Sequence, residues 1–155
     1  MKEKLEKEFL FTPETSTLGK IKTSVFGAVV YILWAAFIIF LYKSFIPEYR
    51  MPGFNPFQES REHLFIASCI YAPFFEELVF RSWLGWFKSD QYTKYTLYLV
   101  LLSSLFFGYA HNGAWSIPIQ GVGGIIFSYV YLKNGYSYLS AVFTHFLINF
   151  YYFIN

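Results

Sequence analysis

Glu76, Glu77 and Arg81 stand in the run YAPFFEELVFRSWLGW at residues 71–86, two carboxylates and a guanidinium among aromatic and aliphatic side chains. On a helix Glu77 and Arg81 are four residues apart and share a face, so they can pair, while Glu76 points about 100° away and stays available. An ionisable side chain inside a membrane span costs roughly 2.5–3.5 kcal/mol on insertion scales, so three of them this close together imply partners or a wet cavity. His111 closes a later apolar run, and His145 and Asn149, again four apart, share a face of another. Together these residues supply a free carboxylate, two imidazoles, a carboxamide and a guanidinium. The chemistry they suit is attack of water on an acyl carbon. Glu76 would take the proton, His111 would share and orient the water, and His145 and Asn149 would donate to the oxyanion. Arg81 would fix Glu77. There is no GxSxG elbow, and Cys69 has no polar companion nearby in sequence, so water is the default nucleophile. Each member alone has a plainer reading: His145 with Asn149 as an interhelical hydrogen-bond pair, His111 as a helix end meeting water.

The elements that must position these groups are membrane spans. Of 155 residues, 55% are hydrophobic, 25% aromatic and only 14% charged, far more apolar than an ordinary soluble domain. A net charge of +2 without a basic stripe excludes a nucleic-acid partner, and a single cysteine excludes an internal disulfide or a cysteine metal cluster. The reading is an all-α, polytopic transmembrane helical bundle of about five spans. A cytoplasmic tail at 1–22, with a short amphipathic helix before Pro13, precedes a first span at 23–42. A loop with Pro47, Pro52, Gly53 and Pro56 leads to the core at 63–155. Its four spans run from His63 to about Trp86, from Tyr95 to Ala110, from the break at Asn112, Gly113, Ser116 and Pro118 to about Leu132, and from Tyr138 to Ile154. Turns are expected at 88–91 and 133–137, and Gly121, Gly123 and Gly124 are expected to let backbones approach closely. The lysines and arginines favour an N-terminus inside and a C-terminus outside. A plain five-span layout puts Glu76 and His145 near mid-membrane but His111 near the outer surface. The segment from His111 to Pro118 is therefore expected to dip back and line the cavity.

In order along the chain, Glu76, Glu77 and Arg81 give EExxxR, Phe107 and His111 give FxxxH, and His145 and Asn149 give HxxxN. In these motifs the sequence resembles the CAAX prenyl protease and bacteriocin-processing family of intramembrane proteases, also called the Abi family, over roughly residues 64–155. The resemblance implies a helical core around a water-filled cavity that hydrolyses a peptide bond of a membrane-associated protein or peptide, in a bacterial or archaeal cell membrane. It implies Glu76 and His111 as the water-activating pair, with Glu77, Arg81, His145 and Asn149 completing the catalytic set and Phe107 contacting substrate. Members of the family have been described both as metalloproteases and as metal-free. Were a divalent metal such as zinc used, Glu76, His111 and His145 would be its ligands, although the chain has no HExxH and scatters these donors over three helices. Maturation of bacteriocins, self-immunity and cleavage of C-terminal sorting anchors all remain open, as does the oligomeric state. Two other classes also remain: a non-catalytic immunity or partner-binding membrane protein of the same fold, and a proton or metal transporter, which the short chain without inverted repeats disfavours.

Overall fold

The computed structural model describes residues 13–46, 60–87 and 94–155. The amphipathic helix expected before Pro13, the proline-rich loop and the turn at 88–91 lie outside them. Every regular element among the described residues is helical. Ser16 caps α1 (Thr17–Phe45) by accepting from Gly19 N at 3.0 Å, and Ser60 caps α2 (Arg61–Phe65) through His63 N. From α2 the chain continues through a π-helical stretch, Ile66–Tyr71, into α3 (Ala72–Phe80), and ends in a 3₁₀ turn, Ser82–Phe87. Next come α4 (Thr96–Asn112), irregular helix over Gly113–Ser116 and Ile117–Gly121, α5 (Val122–Lys133) and α6 (Tyr138–Ile154). Thr17–Phe45, Arg61–Phe87 and Thr96–Lys133 are each long and apolar enough to cross a membrane, and α6 is a shorter apolar helix.

Thr96–Lys133 does not run straight. Gly113 takes φ +64°, which L side chains rarely adopt, and the chain reverses there. The two legs then lie so close that a Cβ on Gly108 would stand 2.8 Å from Gly121 N, and one on Gly124 would stand 2.9 Å from Ser104 Cα. Both obstacles are backbone atoms and cannot swing away. Gly108→Ala and Gly124→Ala are each expected to lower stability by about 1–3 kcal/mol through overpacking, checked by thermal unfolding in detergent.

The distribution of polarity is that of an integral membrane protein. Large apolar side chains face outward along α1, among them Phe26, Leu33, Phe37 and Phe40, whereas Ser24, Glu77, Arg81, Ser104, Ser128, Asn134, Thr144 and His145 are buried. Lipid is as apolar as leucine, so an outward Phe costs nothing there and the buried polar groups must satisfy one another. The apolar core joins Ala28, Tyr31, Ala35 and Ile38 of α1 to Phe107, Ile119, Phe127 and Ile148. α1 also holds the irregular segment after His111. Trp34 Nε1 donates to Pro118 O at 2.7 Å, Tyr42 OH to Trp115 O at 3.2 Å, and Tyr31 OH to Gln120 Oε1 at 3.1 Å. At the other end Asn134 Nδ2 donates to Lys20 O at 3.2 Å, tying the turn before α6 to the start of α1.

Candidate active site

Asn149 reaches the site region through a defect in the helix that carries the glutamates. In the π stretch Ala72 N–H bonds Ala67 O, five residues back. In that register the next donor would reach Ser68 O, but residue 73 is proline and has no N–H. Asn149 on α6 supplies the missing donor, Nδ2 to Ser68 O at 2.8 Å. One of its two amide hydrogens is thereby committed, and the second is not needed for this bond.

One turn earlier on α6, His145 Nδ1 lies 2.9 Å from Glu77 Oε1. A carboxylate only accepts, so Nδ1 carries the proton and Nε2 faces the other way. Glu77 and Arg81 form the i,i+4 pair that their spacing allows, Oε2 to Nε 3.3 Å, both side chains at 0% exposure. His111 is fixed in the same sense: its Nδ1 lies 2.8 Å from Phe107 O, a carbonyl that likewise only accepts. Both imidazoles therefore turn Nε2 toward one atom, Glu76 Oε2, at 3.5 Å from His111 and 3.8 Å from His145. That oxygen is buried and has no hydrogen-bond partner among the described residues. The side chains of Glu76 and His111 are 29% and 28% exposed, so this part of the cluster opens outward while Glu77 and Arg81 are sealed.

Glu76, Glu77, Arg81, His111 and His145, drawn from three segments of the chain, thus meet at one point, with Asn149 one turn further along α6. Irregular backbone follows His111 from Gly113 to Gly121, and Phe107 and His111 are level with the glutamates. Phe107, expected to contact substrate, is fully buried. Its ring lies 4.5 Å from that of His111, 6.0 Å from that of His145 and 4.2 Å from the Arg81 guanidinium carbon, so it lies behind the site. As for a metal, no group of three or more His, Cys, Asp or Glu side chains among the described residues is disposed to hold an ion.

Two neighbours were not legible beforehand. Phe127 stacks on His145, ring centroids 4.6 Å apart and planes 15° from parallel, and Phe80 packs edge-on against Phe107 at 5.2 Å. In a chain with 20 phenylalanines, one more carries no signal of its own. Beside the site, between α3 and α4, Val79, Phe80, Trp83, Phe106, Tyr109 and Ala110 line an open apolar groove of about 370 Å³. A family model described as type II CAAX prenyl endopeptidase Rce1-like matches residues 61–151. No curated protein and no solved structure matches the chain.

Proposed function

The chain belongs to the type II CAAX prenyl endopeptidase Rce1-like family, and from that premise we propose that it is an intramembrane endopeptidase in which Glu76 and His111 activate water to hydrolyse a peptide bond of a membrane-associated protein or peptide. The observation that carries the reading is the convergence of two imidazole Nε2 atoms on an otherwise unpartnered Glu76 carboxylate oxygen. The His111 Nε2 lone pair and the Glu76 carboxylate, 3.5 Å apart, are held together by protons between them, and a water molecule donates two. As its oxygen attacks, Glu76 takes one proton, the new C–O bond forms, and the carbonyl electron pair moves onto the oxyanion. In this scheme His145 enters the step as the imidazolium, with one N–H donated from Nδ1 to Glu77 and the other from Nε2 to that oxyanion, while Arg81 holds Glu77. The second amide hydrogen of Asn149 is the further donor. Collapse breaks the C–N bond, and Glu76 returns the proton to the departing amine. The apolar groove between α3 and α4 suits a substrate that arrives from the bilayer with an apolar segment.

His145 and Asn149 are tested as donors against a role as glue between helices. Loss of one oxyanion donor costs on the order of 10²–10³ in turnover, about 2.7–4 kcal/mol, whereas interhelical hydrogen bonds in membranes average only about 0.6 kcal/mol. Single-turnover cleavage of a quenched-fluorescence peptide library in proteoliposomes is expected to fall at least a hundredfold in His145→Ala and Asn149→Ala. Near-normal turnover in modestly destabilised variants would remove both from the active site.

We further propose that the N-terminus is cytoplasmic and the C-terminus outside. Lys20 and Lys133 lie at the end of the bundle where Asn134 meets α1, and Lys43 and Arg61 lie at the opposite end of their helices. Reporter fusions at the two ends are expected to light up opposite compartments; the same compartment at both would sink the assignment.

A further inference from the structure

Arg81 is the most demanding group in the molecule. It is fully buried, yet Nε, Nη1 and Nη2 all lack a hydrogen-bond partner among the described residues. The Glu77 carboxylate at 3.3 Å balances its charge without hydrogen-bond geometry. A guanidinium stripped of water needs some other electron-rich surface. Three rings provide it: the guanidinium carbon stands 4.2 Å from the Phe107 centroid, 5.3 Å from Phe127 and 5.7 Å from Phe80. All three distances are within the range where a ring's negative face attracts a cation. The rings brace one another, Phe80 on Phe107 at 84° and Phe107 on Phe127 at 86°. Gly124 closes the enclosure, since a Cβ there would stand 2.9 Å from Arg81 Nη2.

The same rings touch the imidazoles. Phe127 lies flat against His145 at 4.6 Å, and Phe107 lies 4.5 Å from His111. A shift of either ring therefore moves the cation that holds Glu77 and an imidazole that faces Glu76. We propose that Phe80, Phe107 and Phe127 form an aromatic cage that binds Arg81 through ring faces in place of hydrogen bonds, and that this cage sets the Glu77–His145 alignment on which turnover depends. The three phenylalanines are positioning residues: Phe107 and Phe127 are sealed from water and substrate, and Phe80 shows the apolar groove only the side that is turned away from Arg81. The claim that turnover depends on them rests on the peptidase reading above; the claim that they hold Arg81 does not.

Fluorination of a phenylalanine ring withdraws charge from its face with little change in size, which separates cation binding from packing. Phe107 is replaced in the full-length protein by 4-fluoro-, 3,5-difluoro- and 3,4,5-trifluorophenylalanine, and unfolding and cleavage are measured for each. The folding equilibrium is expected to weaken stepwise, about tenfold across the series, with Arg81 present. It should stay flat in the charge-neutral Glu77→Gln/Arg81→Met background, where there is no cation to bind. In parallel kcat should fall stepwise with KM unchanged. Equal slopes in the two backgrounds would overturn the cage, and a flat kcat beside a sloping stability would overturn its positioning role. Stability is read in Glu76→Gln protein as well, so a chain that cleaves nothing would sink the peptidase reading while leaving the cage to be judged on the coupling alone.

Discussion

Glu77→Gln is expected to destabilise the folded protein by about 3–5 kcal/mol, because it strands a fully buried guanidinium without its counter-ion. The amide still offers an acceptor to His145 Nδ1, so that hydrogen bond survives in weakened form. What disappears is the negative charge between Arg81 and His145. Arg81→Met alone strands the carboxylate instead and is expected to be destabilising to a similar degree. Removing both charges together, as Glu77→Gln/Arg81→Met, should restore much of the lost stability, since neither ion is then left unpaired. Activity should not return with it, because His145 has lost the carboxylate that orients it through Nδ1. Thermal unfolding and cleavage of the four proteins measure both halves. A double variant as unstable as the singles would show that the pair is not what these side chains contribute.

Glu76→Gln is expected to lose turnover by at least 10²–10⁴-fold, the span that a positioned general base contributes, with folding hardly changed. The contrast with Glu77 follows from geometry. Glu76 is 29% exposed and its inner oxygen makes no hydrogen bond among the described residues, whereas Glu77 is at 0% exposure and held from two sides. Glutamine keeps the size of Glu76 and removes only its capacity to accept a proton. Unfolding temperature and single-turnover cleavage measured on the same preparation decide it. Equal losses of stability in Glu76→Gln and Glu77→Gln would contradict this division of labour.

The parts of this arrangement set by local periodicity were visible in the amino-acid sequence. The pairing of Glu77 with Arg81 follows from a four-residue spacing on one helix. The separate direction of Glu76 follows from the 100° step, and the helical rods follow from runs of apolar residues punctuated by Gly113 and Lys133–Ser137. The parts set by contacts between distant segments were not. That Ser68 O needs a donor depends on a π register meeting Pro73, and that Asn149 supplies it depends on a residue 81 positions away. The depth of Phe107 was hidden for a related reason. Its motif gives its spacing to His111 but not its depth, and at 0% exposure it meets Arg81 and the imidazoles. His111 meets Glu76 from the last turn of α4, directly before a left-handed glycine reverses the chain and α1 ties down the segment that follows, and neither contact is set by local spacing.

The central claim, that Glu76 serves hydrolysis of a membrane-associated polypeptide, is tested most directly by comparing the protein termini of membranes that carry the wild-type chain with those that carry Glu76→Gln at equal abundance. At least one membrane protein or peptide is expected to show a new terminus in the wild-type membranes and only its uncut form with Glu76→Gln. Identical termini in the two membranes, with both proteins folded, would contradict the peptidase account and favour a binding or immunity protein built on the same helices.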